Sequence, residues 1–107
     1  MTTNNPYALF SSDPAEYNKQ SLKEKLGITL IQLIRAHGWT QSAASDTLKV
    51  SQPRVSNLMS GKFDRFSVDS LLEMMFRAGY SFDYLFDFPE GDKTQPRLEL
   101  KLKKAML

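Results

Sequence analysis

The sequence predicts a mainly α fold, a bundle of four to five helices followed by a C-terminal β-hairpin. Three observations predict it. Helix-start and helix-stop residues recur at short intervals as far as Gly79. Apolar residues keep a 3.6-residue period up to that glycine and a period of two beyond it. The 107 residues are 41% hydrophobic, enough for one modest core.

Residues 1–13 are polar around a small apolar knot (Tyr7, Leu9 and Phe10) and read as an arm that packs on the body or stays mobile. Asp13-Pro14 then reads as an N-cap followed by proline at the first helical position, opening a helix that runs to about His37 and stops at Gly38. Leu22, Leu26, Leu30, Leu33 and Ile34 follow the helical period and are expected in the core. Ile28 and Ile31 project elsewhere, to be covered by the arm or by a partner. Gly27 lowers helix propensity by about 1 kcal/mol relative to alanine, so the helix bends there or becomes firm only after it.

Thr40 caps a helix through Leu48, Ser51 a helix that stops at Gly61, and Ser67 a helix from Val68 to Ala78. Val50 with Val55 and Phe66 with Leu71 have the spacing of hydrophobic staples. Val68, Leu71, Leu72, Met75 and Phe76 form an amphipathic face, and the run Met74 to Phe76 reads as core. Trp39 reads as a core plug, and His37 as a residue placed to meet the dipole of a helix C-terminus.

After Gly79, Phe82, Tyr84, Phe86 and Phe88 alternate with polar residues apart from Leu85. Leu98, Leu100 and Leu102 do the same, with Pro89-Glu90-Gly91-Asp92 as the turn between. A lone hairpin is marginal in water. These seven apolar residues must therefore pack on the helices or form a dimer or partner interface. The domain reading is an arm (1–13), a helix-turn-helix domain (14–80) and the hairpin (81–107).

Composition narrows the chemistry. There is no cysteine and one histidine, so disulfides and thiolate zinc sites are excluded, and neither a catalytic constellation, a metal site nor a cofactor is expected. No apolar run approaches the ~20 residues that span a bilayer, and the N-terminus lacks a signal-peptide pattern. A cytoplasmic protein without membrane contact is expected. The net charge of +2 is only mildly basic, but Arg35, Lys49, Arg54, Lys62 and Arg65 outnumber Asp46 and Asp64 in the middle, whereas Asp83, Asp87, Glu90 and Asp92 form an acidic stretch. That is either one anion-facing side or chance clustering on a solvated surface.

The segment Gln41 to Leu58 has the layout of two short helices joined by a three-residue turn, the geometry that braces one helix in a DNA major groove. Ala44, Ser45 and Leu48 fit the crossing, and Val50, Val55 and Leu58 anchor the second helix from behind. Its other face presents Gln52, Pro53, Arg54, Ser56 and Asn57. Glutamine and asparagine pair with adenine edges, arginine grips guanine or phosphate, and the helix N-terminus favours phosphate.

Several runs resemble the XRE, or lambda-repressor-like, helix-turn-helix family, and within it HigA-like antitoxins and small regulators. They are Asn5 to Phe10, Leu33 to Gln41, Ser51 to Leu58, and Gly61-Lys62-Phe63 through Phe66-Ser67. The resemblance implies a lambda-repressor-like bundle that binds double-stranded DNA. It implies base-edge contacts from Gln52, Pro53, Arg54 and Asn57, and phosphate contacts from Gln41, Ser51, Ser56 and Lys62. Two positions depart from the family pattern: Lys49 stands where glycine is usual in the turn, and Ser45 where alanine is usual. Lys49 must then accept a positive φ or a different turn. The function expected is repression by occupancy, as a homodimer on a palindromic operator. The hairpin would set the spacing by sheet extension or aromatic packing. The alternative is an antitoxin that neutralises a small basic RelE/HigB-like ribonuclease toxin and autoregulates its operon, receiving it on the acidic stretch or the arm.

Overall fold

The computed structural model describes residues 13–88 and 95–105. In chain order they form α1 (Pro14–His37), α2 (Gln41–Leu48), α3 (Gln52–Met59), a 3₁₀ turn (Phe63–Arg65), α4 (Val68–Arg77), β1 (Tyr80–Asp87) and β2 (Arg97–Lys104). The arm with its knot and opening motif, the turn Pro89 to Asp92, and residues 106–107 lie outside the described residues.

Each helix starts where its cap residue lies. Asp13 accepts from the Ala15 N–H, Thr40 from Ala43 and Ser67 from Ser70, each at 3.0 Å, while Ser51 accepts from Arg54 at 3.3 Å. A side chain in these roles replaces a partner that the first helical turn cannot supply. At the other end of α1, Gly38 adopts φ 67° and its N–H closes onto the Arg35 carbonyl at 3.0 Å. That left-handed geometry carries little penalty without a Cβ.

The core is continuous through the bundle. Leu26, Leu30 and Ile34 of α1 meet Ala44 and Leu48 of α2, Val55 and Leu58 of α3, Phe66, and Leu71, Met74 and Met75 of α4. Leu22 departs from expectation: it is exposed, and nothing from Asp13 to Lys25 is buried. Leu33 is half-buried, and Phe76 is exposed at the rim of the α4 stripe. Ile31 packs against the core while Ile28 is exposed.

Gly27 neither breaks nor delays the helix. It is buried, and a Cβ built on it would lie 2.3 Å from the Phe63 ring. The glycine thus lets the 3₁₀ turn approach α1, a packing role that outweighs its poor propensity.

The two strands pair antiparallel, with Phe82 opposite Leu102, Tyr84 opposite Leu100 and Phe86 opposite Leu98. The base of the hairpin is fixed to the bundle. Tyr80, Phe82 and Leu102 pack on the core, and Phe76 meets Phe82 edge-on at 6.1 Å. The Ala105 N–H donates to the Gly79 carbonyl at 2.7 Å. The Tyr80 hydroxyl lies 3.3 Å from His37 Nε2, and that imidazole stacks on half-buried Trp39 at 4.4 Å. Trp39 therefore plugs the junction between α1 and the hairpin rather than the centre of the core.

Candidate nucleic-acid interface

The turn between α2 and α3 is built around Lys49, which adopts φ 57° and ψ 47° and is the non-glycine residue with positive φ among the described residues. A side chain in the left-handed region costs about 1–2 kcal/mol. Ser45, the other departure from the family pattern, helps to hold it. Its hydroxyl donates to the Val50 carbonyl, and its own carbonyl accepts the Val50 N–H at 3.2 Å. The turn is thus closed twice by the residue that sequence reading treated only as a small filler. A hydroxyl five positions before the residue that leaves the turn was the signal.

Behind α3, Val55 and Leu58 are fully buried against Ala44 and Leu48 of α2. This fixes the rotation of the helix. Successive side chains advance by about 100°, so Pro53, Ser56 and Asn57 fall on the outward side with Gln52 at its margin. Gln52, Pro53 and Ser56 are exposed and Asn57 is half-exposed.

Arg54 falls on the opposite margin, towards Leu58. Its guanidinium carbon lies 4.3 Å from the centre of the Phe66 ring, a cation–π contact that covers the edge of the core. The structure therefore groups Gln52, Pro53, Ser56 and Asn57 and sets Arg54 apart, with its charge still at the surface.

A residue outside the expected set joins this face. Arg65, at the end of the 3₁₀ turn, donates to Asn57 Oδ1 at 3.5 Å. Lys62 is exposed next to it, its backbone N–H donating to the Asn57 carbonyl at 3.0 Å. Arg65 was visible only as one of several basic residues in the middle of the chain, since its placement depends on the turn that follows Gly61. Ser51 caps α3, and Gln41 opens α2 behind the Thr40 cap; both are exposed.

The first turns of α2 and α3 contain no acidic residue, whereas those of α1 and α4 contain Glu16 and Asp69. The positive ends of the two helices beside the polar face thus have no carboxylate of their own to offset them. No group of three or more His, Cys, Asp or Glu capable of holding a metal ion occurs among the described residues.

Comparison with known families decides the class, since a helix-turn-helix domain matches residues 8–83. The chain belongs to the helix-turn-helix domain family. A solved structure named as an XRE-family transcriptional regulator shares the fold of this helix-turn-helix protein, with a TM-score of 0.64 at 23% identity. The likeness covers 78% of this chain and 94% of that one. No curated protein matches the helix-turn-helix chain. The mainly α bundle with a C-terminal antiparallel hairpin is thereby shown as a fold. No helix among the described residues is long and apolar enough to cross a membrane.

Proposed function

We propose that the protein is a sequence-specific DNA-binding transcriptional regulator of the XRE type, repressing by occupancy as a homodimer on a palindromic operator. One observation carries this reading: α3 is anchored from behind on α2 and turns a compact polar face outward, with uncompensated positive helix ends on the same unit. Gln52, Pro53 and Asn57 read base edges in the major groove. Gln41, Ser51, Ser56 and Lys62 hold phosphates. Arg54 joins the base-reading set by leaving the Phe66 ring, a contact of order 1 kcal/mol that a guanine or phosphate contact replaces. No chemical step is assigned to any residue.

The antitoxin alternative places a basic toxin on the acidic stretch or on the arm, and the arm lies outside the described residues. In the fold, the Asp83 carboxylate pairs with the Lys103 ammonium at 2.6 Å, and Asp87 lies opposite Arg97. Asp83 is thus matched by a cation of its own hairpin, while Arg97 pairs instead with Glu99 at 3.2 Å. A small basic reading frame beside the gene would favour it.

The test is an operator selection with purified protein at two salt concentrations. Gln52→Ala and Asn57→Ala should each lower affinity for the selected site roughly 5- to 150-fold and relax preference at one position, as loss of a bidentate base contact does. Lys62→Ala should weaken all sequences alike and reduce the salt slope by about one. If Gln52 and Asn57 can both be removed without loss of operator preference, α3 is not the reading helix.

A further inference from the structure

The outer half of the hairpin carries apolar surface that the bundle does not cover. Tyr84, Phe86 and Phe88 are 70%, 64% and 69% exposed, and Leu98 and Leu100 are 59% and 53% exposed. Since one aromatic side chain can bury about 150–250 Å², these five present on the order of 600 Å². That equals the largest patches on ordinary monomers and the share of one partner in a small specific interface, about 600 Å².

The two strands also differ at their edges. β2 carries Arg97, Lys101, Lys103 and Lys104, side chains that discourage further strand pairing. β1 has no lysine, arginine or proline along Tyr80–Asp87, and among the described residues it pairs only with β2. α4 lies against β1, and there Phe76 remains 48% exposed beside Phe82.

We propose that a second copy of this chain occupies this surface. β1 pairs antiparallel with β1 of the partner about a two-fold axis, giving one continuous four-stranded sheet. The proposal names the surface behind the dimer suggested above, and its test requires no DNA. An axis of this kind sets one residue opposite its own copy and keeps both apolar faces on the same side of the sheet.

Charge then selects the register, because like charges directly opposite are unfavourable. Centred on Leu85, each Asp83 would face the partner's Asp87. Centred on Asp83 or Asp87, a carboxylate would face itself. Centred on Phe86, only the outer half of the strand would be paired. Centred on Tyr84, the whole strand pairs, Asp83 faces the partner's Leu85, and Ser81 faces the partner's Asp87. This register also sets Phe86 opposite the partner's Phe82, above the partner's Phe76. The aromatic side chains left bare on the hairpin and on the bundle then cover each other across the axis.

The absence of cysteine lets single cysteines report this register in the full-length chain. Wild type should sediment at twice the chain mass. Under copper-phenanthroline oxidation, Tyr84→Cys should form the intermolecular disulfide about tenfold faster than Leu85→Cys, since only directly opposite residues approach to about 5 Å. Phe86→Asp should sediment at the mass of one chain with its helical circular dichroism retained. A monomeric wild type, equal cross-linking at the two positions, or a dimeric Phe86→Asp chain would each overturn the proposal. A monomer that still selects an operator half-site would leave the DNA reading intact. Conversely, a Tyr84-linked dimer that selects no operator would leave the sheet intact.

Discussion

The helical bundle and the hairpin use the same residue types to opposite ends. In the bundle, Leu30, Leu58 and Leu71 are fully buried, each helix start is capped, and the polar α3 residues stand outside a closed core. In the hairpin, Leu98, Leu100 and three aromatic residues alternate as regularly as any buried strand, yet they remain more than half exposed. The bundle completes its own core; the hairpin completes it only at its base. The closed core thus lies in α1–α4 and the base of the hairpin, and the apolar surface of the outer hairpin is left outside it.

Two leucines test this division most strongly. Leu58 is 0% exposed at the back of α3, whereas Leu100 is 53% exposed on β2. Leu58→Ala should cost about 2–5 kcal/mol through lost burial and a residual cavity, enough to lower the urea midpoint sharply. Leu100→Ala should change the stability of the monomer by less than about 0.5 kcal/mol. Any larger effect of Leu100→Ala should scale with protein concentration, because a contact between copies stabilises by mass action. Equal, concentration-independent losses at both positions would contradict the division.

A close approach that propensity rules misjudge separates the bundle further. Alanine is normally better than glycine inside a helix by about 1 kcal/mol. At position 27 the added methyl would meet the Phe63 ring at 2.3 Å, so the ring and the 3₁₀ turn must yield. Gly27→Ala is expected to lower stability by about 1–3 kcal/mol, as overpacking does. A raised melting temperature would show that the turn is not held against α1. The same variant should also weaken operator binding, because the turn carries Arg65 beside Asn57.

Gly27 also illustrates what was legible in the sequence. Caps, stops and the period change after Gly79 are local signals, and Asp13, Thr40, Ser51 and Ser67 each cap a helix as read. The α2–α3 unit was legible for the same reason, as its anchors and polar face lie within one short stretch. Contacts between distant segments were not. Phe63 against Gly27, Arg54 on Phe66 and Tyr80 beside His37 join residues that no periodicity relates. Leu22 shows the converse limit, since a helical stripe predicts burial only as far as a neighbouring element extends.

Lys49 offers a smaller test, at the joint between the two helices of the site. Its φ of 57° suits glycine better than any side chain. Lys49→Gly should relieve about 1–2 kcal/mol of backbone strain and lose part of that to the greater freedom of glycine in the unfolded chain. The net expectation is a stabilisation of about 0.5–1 kcal/mol in a thermal or urea melt. Because Ser45 already closes the turn onto Val50, the aim of α3 should persist, and the operator selected by Lys49→Gly should match that of wild type. A changed operator preference would show that the lysine, rather than the Ser45 contacts, sets the rotation of α3.

The smallest effect is expected inside the bundle, at Ser70 in the first turn of α4. Its hydroxyl oxygen is buried with no hydrogen-bond partner among the described residues, while its backbone N–H is satisfied by the Ser67 cap. A buried hydroxyl without a partner is a net cost, and serine is also a weaker helix former than alanine by a few tenths of a kcal/mol. Ser70→Ala removes both disadvantages but leaves a small void where the oxygen was, so stability should rise by only a few tenths of a kcal/mol. Operator binding and oligomeric state should not move, because Ser70 lies on neither the α3 face nor the hairpin. A loss of stability would reveal that the hydroxyl has a partner after all, outside the described residues or in bound solvent. The closed core would then include a polar contact from outside the bundle, and the contrast between bundle and hairpin would be one of degree.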